Sequence, residues 1–301
     1  RIMFIPKSRG EKALSEFNRT IDFTVTKEDT KYDAGAFLKS KGVSRRLITK
    51  LKRIENGICR NGITVRTIDR IYEGDIISVK MEDSTTLNGN LELAVPVVYD
   101  DENVVVFNKP VNMTVQPSIK HQGDTLGTCF SAMYPGLTFR PVNRLDKDTS
   151  GLCVVAKNAH SANLLQSTVS KVYYAAVCGV LEGGGRINAP IGRVSESIIL
   201  RQVMADGQEA VTDYDVVTTN GRYTLVKVTP ITGRTHQIRV HFSYIGHPLA
   251  GDDMYGGDTS DIKEQALHCG EISFVHPVSK EKIFLKSQLR EDIARLFPNI
   301  M

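Results

Sequence analysis

Hydrophobic residues recur at helical spacing in the stretch SRRLITKLKRIENG, residues 44–57. They fall at i, i+1, i+4 and i+7, which places them on one stripe of a helix. These residues are Leu47, Ile48, Leu51 and Ile54. Ser44 is a good N-cap, and Gly57 is a common stop signal. The pattern therefore predicts an amphipathic helix whose remaining surface is basic and polar.

Short β-prone runs follow this helix. ICRNGITV, residues 58–65, places Asn61-Gly62 between two such runs, which is a strong signal for a tight hairpin. EGDIISVKM, residues 73–81, predicts a further strand, and residues 33–39 predict a short helix. We therefore expect a small α+β module with its linker at residues 32–92, after a leader segment at residues 1–31.

A polar stretch, MEDSTTLNGNLEL, separates this module from the rest of the chain, and we place the boundary near residue 92. Apolar alternation resumes in PVVYDDENVVVFNKP, so residues 93–301 form the expected second domain, in which periodicity predicts mixed strands and helices. One of these helices is predicted in THQIRVHFSYIG, where Thr235 caps it and Gly246 ends it. Its buried face would carry Ile238, Phe242 and Ile245.

The composition is that of an ordinary soluble protein, with 301 residues, 41% hydrophobic and 24% charged. No apolar run reaches the length of a membrane helix, and we find no secretory or targeting signal. The five cysteines are widely spaced and form no C-x-x-C pair. Buried free thiols in a reducing compartment are expected, so we predict a cytoplasmic protein.

Positive charge is concentrated in one region. Nine basic and two acidic residues lie between Lys41 and Arg70, a net charge of +7, which leaves −3 for the rest of the chain. A charge run is usually a solvated face, but a run of one sign without intrahelical pairing favours phosphate binding. The candidate RNA-binding residues here are Arg45, Arg46, Lys50, Lys52, Arg53 and Arg60. SRRLITKLKRIENGICRNGITV and EGDIISV resemble the S-four RNA-binding domain over residues 32–82.

A densely charged loop, RPVNRLDKDTSG at residues 140–151, precedes the apolar run LCVVAK. A calcium loop would need a bidentate Glu at its twelfth position, where this chain has Lys157. DKDT matches the D-x-D-x-T pattern of magnesium-dependent haloacid-dehalogenase-like phosphatases. Those aspartates normally follow a buried strand, whereas here the apolar strand comes after the loop. The phosphatase remains the weaker alternative.

The same loop resembles the HRLD-x-x-TSG signature of the RluA-like pseudouridine synthases. The likeness continues in KVYYAAVCGV and in TPITGRTHQIRVHFSYIGHPLAGDDMYG, and it spans about residues 95–300 in the expected order. Asn143 replaces the histidine that begins the family signature, a difference that bears on the details of RNA contact. The resemblance implies an α+β fold, in which a mainly antiparallel mixed-sheet catalytic domain follows the S-four-like module.

The resemblance also implies the roles of individual residues. Asp146 would be the catalytic carboxylate, and Arg239 would keep it ionised where water is excluded. Tyr173 would stack on the everted uracil, and Arg144 would fill the vacated stack or hold phosphates. We expect a surface or RNA-facing role for Asp148. Histidines and Asp252 near the third motif could form a loose metal cluster, but packing and hydrogen bonding are the expected roles of His236, His241 and His247.

These observations predict an RNA pseudouridine synthase that acts on structured RNA. Large-subunit ribosomal RNA is the favoured substrate, with transfer RNA as the other. The isomerisation loses no group and changes no redox state, so we expect no cofactor and no metal. We further expect a monomer that does not enter a membrane. An inactive RNA-binding protein is the second alternative, beside the phosphatase.

Overall fold

The computed structural model describes residues 19–81, 83, 87–118, 121–194 and 199–298. The first eighteen residues of the expected leader, and most of the polar stretch at 82–86, lie outside these ranges. A four-stranded sheet with the order β1-β4-β2-β3 begins the described chain. Its strands are β1 (Arg19–Thr24), β2 (Ile58–Arg60), β3 (Ile63–Thr64) and β4 (Ile76–Met81). Because β1 pairs with β4 along its whole length, the sheet begins before residue 32, inside the expected leader.

Two helices pack on this sheet, α1 (Ala34–Ser40) and α2 (Arg45–Leu51). Ser44 caps α2 as predicted, since its hydroxyl accepts a hydrogen bond of 3.2 Å from the backbone N–H of Leu47. The helix ends at Leu51, earlier than predicted, and a series of turns leads on to Gly57. A Cβ on Gly57 would lie 2.1 Å from the carbonyl oxygen of Leu51, so only glycine lets the chain fold back against the helix end.

The predicted hairpin is confirmed. Asn61 and Gly62 join β2 to β3 with φ of 50° and 83°, the left-handed values that a tight two-residue turn requires. The module has its own core, in which Phe37, Ile77 and Val79 are fully buried. The module therefore buries a hydrophobic cluster of its own.

A ten-stranded mixed sheet forms the second domain, with the order β10-β13-β14-β9-β15-β8-β6-β5; β16 pairs with β15, and β7 with β8. Its strands are β5 (Val97–Asp100), β6 (Val104–Lys109), β7 (Arg140–Pro141), β8 (Ser150–Ala156), β9 (Ser170–Cys178), β10 (Gly185–Asn188), β13 (Val211–Thr219), β14 (Tyr223–Pro230), β15 (Leu267–Val275) and β16 (Lys282–Lys286). A separate two-stranded ribbon consists of β11 (Ile191–Arg193) and β12 (Arg201–Val203). All pairings are antiparallel except that of β8 with β15, so the predicted mainly antiparallel mixed sheet is confirmed.

Within the described ranges, this domain has four short α-helices and a 3-10 helix at Asp253–Tyr255; the α-helices are α3 (Leu126–Met133), α4 (Ala159–Leu165), α5 (Gln237–Tyr244) and α6 (Glu291–Arg295). Helix α4 also contacts the N-terminal module, where the amide of Asn163 donates a hydrogen bond of 3.1 Å to the carbonyl of Gly42. The rings of Phe23 and His160 meet edge to face at 5.5 Å across the same boundary. None of the helices in the described ranges has the length and apolar character that a membrane crossing requires.

The parallel contact between β8 and β15 positions the charged loop. Every residue of β8 is buried, and the loop enters it from the side of Asp146. Gly151 has a φ of 110°, and a Cβ there would lie 2.3 Å from the carbonyl oxygen of Cys269. Because glycine lets the two backbones approach, the loop is held at the end of a rigid strand at the centre of the sheet.

Candidate active site

A cleft of about 660 Å³ opens beside the middle strands of the ten-stranded sheet. It lies where the charged loop, β9, the end of β14 and the N-terminus of α5 meet. Four of the residues singled out in the sequence line it, and they come from three separate motifs: Arg144, Asp146, Tyr173 and Arg239. The fold therefore brings together the residues that the resemblance assigned to one site.

Arg239 joins two carboxylates at the base of this cleft. Its Nη1 lies 3.3 Å from Oδ2 of Asp146, while its Nε and Nη2 donate hydrogen bonds of 2.6 and 2.8 Å to Asp252. The Arg239 and Asp252 side chains are buried, whereas about a third of the Asp146 side chain, 32%, stays exposed to the cleft. The bidentate bond fixes the guanidinium plane, so Arg239 can present only its remaining N–H groups to Asp146.

The charge of Arg239 is secured by the same partner. Burial lowers the pKa of the guanidinium, but the hydrogen bonds and negative charge of Asp252 raise it, and the net pKa lies above its ordinary value. The ring of Tyr255 covers the guanidinium at 4.8 Å. Asp252 was considered in the sequence only as a metal ligand, because nothing local ties it to an arginine thirteen positions earlier.

Tyr173 lies on β9 with its side chain buried beside the cleft, and Tyr174 points to the opposite face, as the strand alternation predicted. The hydroxyl of Tyr174 donates a hydrogen bond of 2.7 Å to Glu271. Burial raises the pKa of Tyr173 well above its ordinary value, so its ring is a neutral, largely apolar surface at physiological pH. Such a surface suits stacking with a base.

A buried lysine lies under the charged loop. Nζ of Lys109 donates hydrogen bonds of 2.7, 2.7 and 3.0 Å to the carbonyls of Pro110, Met113 and Lys147. Burial lowers its pKa to about 8. Lys147 directly follows Asp146, so Lys109 ties the backbone of the loop to the end of β6. Sequence reasoning missed this residue, because nothing in the run PVVYDDENVVVFNKP marks its lysine as buried.

Asn143 holds the other side of the loop. Its buried amide donates to the carbonyl of Leu152 at 3.1 Å and accepts from the N–H of Val154 at 2.8 Å. Its side-chain polar groups therefore bind the backbone of β8. Asn143 thus helps to anchor the loop, and it also lines the cleft, so its expected bearing on RNA contact stays a prediction.

The other residues to which the sequence analysis gave RNA-facing roles differ in their distance from the cleft. Arg144 is exposed at the cleft, but Asp148 is partly buried and does not line it. All six candidate RNA-binding residues of the N-terminal module lie outside the cleft lining. Five of them are exposed, and Arg60 is half-buried with Nη1 bonded to the carbonyl of Arg70 at 2.8 Å.

The start of α5 differs from the prediction. Thr235 does not cap it; the N-cap is His236, whose φ of 56° is left-handed and whose side chain makes no capping bond. The side chain of Gln237 instead accepts a hydrogen bond of 2.9 Å from the N–H of Arg234. Gly246, with φ of 83°, ends the helix as predicted, and Ile238 is buried. The local signal for a cap at Thr235 is thus overridden by the turn before α5, which lines the cleft.

The histidines take part in hydrogen bonds, as expected. His241 lies between the hydroxyl of Thr212 at 2.8 Å and the carbonyl of Ala189 at 2.9 Å, and His247 meets the carbonyl of Cys178 at 2.9 Å. Within the described ranges, no three His, Cys, Asp or Glu side chains gather as a metal site would require.

Comparisons with known proteins identify the family of this chain. Residues 103–244 match the family described as RNA pseudouridylate synthase. An uncharacterized RNA pseudouridine synthase of Bacillus subtilis, YjbO, is 38% identical over 269 residues, which cover 85% of this chain and 94% of that protein. The ribosomal large subunit pseudouridine synthase D of Pseudomonas aeruginosa is 36% identical over 258 residues, covering 77% and 80% respectively.

A solved structure gives the same result. The human RNA pseudouridylate synthase domain containing 1 matches 67% of this chain and 86% of its own, with a TM-score of 0.55 and 27% identity. The fold is thus that of an RNA pseudouridine synthase, an isomerase. The chain belongs to the RluA-like family of these enzymes. The interpretation as a pseudouridine synthase is therefore favoured over a phosphatase and over an inactive RNA-binding protein.

Proposed function

We propose that this chain converts uridine to pseudouridine in large-subunit ribosomal RNA, with Asp146 as the catalytic carboxylate. The observation that carries the proposal is the ion pair of 3.3 Å between Asp146 and Arg239 inside the cleft. The name of the Pseudomonas aeruginosa relative supports the choice of ribosomal RNA. Transfer RNA is the alternative substrate.

The reaction breaks the bond between N1 of uracil and C1′ of ribose, turns the base and joins its C5 to C1′. C5 loses a proton and N1 gains one, so the product is an isomer. Asp146 acts beside the glycosidic bond, as a nucleophile or as a base on the sugar. Arg239 keeps this carboxylate charged after the nucleotide has displaced water from the cleft.

Two further side chains receive the everted nucleotide. Tyr173 offers its ring to the uracil, and base stacking of this kind contributes roughly 1–3 kcal/mol. Arg144, exposed at the mouth of the cleft, fills the stack that the uridine leaves or holds a neighbouring phosphate. Both interactions offset the cost of turning the base out, which is a few kcal/mol.

The N-terminal module serves as the second RNA contact, and we infer that it is an S-four-like domain. Its separate core and the exposed basic side chains of α2 support this inference. Positive charge in a row follows a phosphate backbone without reading its sequence. We also infer a monomer in the cytoplasm; the five free cysteines, four of them buried, suit a reducing compartment.

Incubation of the protein with large-subunit ribosomal RNA and, separately, with transfer RNA in EDTA tests the proposal. Chemical mapping of pseudouridine would then report the modified positions. We expect modification of ribosomal RNA by the wild-type protein and none by Asp146→Asn. Modification of transfer RNA alone would overturn the choice of ribosomal RNA as the substrate. Activity of Asp146→Asn equal to that of wild type would overturn the catalytic role of Asp146.

A further inference from the structure

His236 has a constrained position beside the catalytic carboxylate. It lines the cleft with a side chain that is only 9% exposed, and its Nε2 lies 3.9 Å from Oδ2 of Asp146. Its left-handed backbone, with φ of 56°, is uncommon for a residue other than glycine. Strain of this kind is retained at functional sites when the surrounding structure holds it in place.

Hydrogen bonding determines which ring nitrogen of His236 carries the proton. Its Nδ1 lies 2.8 Å from the hydroxyl of Tyr255, and that hydroxyl oxygen already accepts a hydrogen bond of 3.1 Å from the N–H of Arg201. The hydroxyl proton of Tyr255 then has Nδ1 as its partner. We assign Nδ1 as the acceptor, and the neutral ring accordingly carries its proton on Nε2, facing the cleft.

The imidazole is neutral in this surrounding. Burial lowers its pKa, and the positive charges of Arg239 and Arg201 lower it further, against the opposing effect of Asp146 and Asp252. Nε2 makes no hydrogen bond within the described ranges, and 3.9 Å is too long for a direct bond to Asp146. The cleft thus presents a donor and an acceptor side by side, each able to bind a substrate atom.

We propose that His236 and Asp146 together bind the 2′-hydroxyl of the target ribose, an inference that rests on the proposed function. A hydroxyl is the one group of a uridine that accepts and donates through a single atom. Two bonds of about 2.8 Å each, to atoms 3.9 Å apart, meet at the hydroxyl oxygen at about 90°. A carbonyl could satisfy only His236, and an N–H group only Asp146.

This contact also places the reacting atoms. The 2′-hydroxyl lies on C2′, which is bonded to C1′ of the glycosidic bond. Oδ2 of Asp146 would bind Arg239 and the hydroxyl, and Oδ1, which makes no hydrogen bond within the described ranges, would face the sugar. The pair would in addition distinguish RNA from DNA, because the 2′-hydroxyl is the group by which proteins do so.

The test combines a change in the protein with a change in the RNA. The probe is an oligoribonucleotide containing the uridine identified by mapping, with a matched copy that has 2′-deoxyuridine at that position. His236→Asn is the variant, because asparagine adopts the left-handed conformation readily and is too short to reach the hydroxyl. Single-turnover rates of pseudouridine formation are measured for all four combinations.

We expect either change alone to lower the rate about 10- to 100-fold. The two changes together should lower the rate little more than either change alone, since they remove the same interaction. Tyr255→Phe removes the hydroxyl that holds the tautomer of His236 but keeps an aromatic ring over Arg239. This variant should also reduce the discrimination against 2′-deoxyuridine. His247 lies outside the cleft lining, so His247→Asn should leave this discrimination unchanged.

Two different failures can be told apart. Independent, multiplicative effects of the two changes in an active wild-type enzyme would overturn the role of His236 alone. An unaltered rate for His236→Asn on the all-ribose probe would do the same. Absence of pseudouridine in every RNA treated with wild-type protein would overturn the proposed function, and this inference with it.

Discussion

Asp252 binds Arg239 through both carboxylate oxygens, at 2.6 and 2.8 Å, and so aims the arginine at the carboxylate of Asp146. The two residues lie on α5 and on the segment after it, and both side chains are almost fully buried. Removing one partner of a buried ion pair is strongly destabilising, because it leaves the other charge uncompensated. Asp252 is therefore the residue that determines where the positive charge of the site lies.

Asp252→Asn should lower the rate of pseudouridine formation about 10- to 100-fold, because the amide NH2 group cannot accept from the guanidinium, so that one of the two bonds is lost and Arg239 shifts. Affinity for RNA should change little, since Asp252 does not line the cleft. Single-turnover kinetics and filter binding would measure both quantities. Asp253→Asn, the exposed neighbour, is the control. Equal losses in both variants would contradict this role.

Asp146→Asn should abolish modification and leave affinity for RNA within about threefold of wild type, because the amide keeps the shape of the carboxylate but has no charge. Asp148→Asn, two positions along the same loop and outside the cleft lining, is the control and should stay active. Mass spectrometry of digested RNA would measure the product. Turnover by Asp146→Asn close to that of wild type would refute its assignment.

Replacing Arg45, Arg46 and Lys50 together by alanine should weaken RNA binding and reduce its dependence on salt. Each lost phosphate contact lowers the slope of log K against log salt by about 0.7–0.9. Binding titrations between 50 and 200 mM salt, about the range over which this effect is large, would measure the slope. The same number of charges removed at Lys280, Lys282 and Lys286 in the second domain is the control. Unchanged affinity at low salt would show that α2 is not an RNA contact.

Lys109→Met should change how stability depends on pH. The pKa of Lys109 is about 8 in the folded protein and 10.5 for an unperturbed lysine. Between these values the unfolded chain binds the additional proton, so this residue makes the free energy of unfolding rise with pH, by up to about 1.4 kcal/mol per pH unit.

Urea unfolding of both proteins at about pH 8.5 and about pH 10, both inside this interval, would measure the difference. Wild type should gain stability relative to Lys109→Met as the pH increases. Lys171→Met, which alters a lysine that is only half-buried, is the control. Parallel pH profiles of wild type and Lys109→Met would contradict a lowered pKa for this lysine.

Much of the local structure was predictable because its causes are local. Ser44 caps α2 and Asn61-Gly62 turns the hairpin through contacts within three or four residues. The alternation in β9 predicted that Tyr173 and Tyr174 point to opposite faces. Family resemblance brought Asp146 and Arg239 together across 93 positions, which periodicity alone does not do.

Where the sequence failed, the cause was a contact distant along the chain. The start of α5 at His236 depends on Tyr255, nineteen positions later, rather than on a cap at Thr235. Lys109 binds a carbonyl thirty-eight positions away, and nothing in its own neighbourhood marks it as buried. By itself the sequence determined the helices, turns and charges whose signals lie within a few residues. Only the tertiary structure decided which polar groups share the cleft, because burial and partner choice depend on elements that meet after the chain has folded.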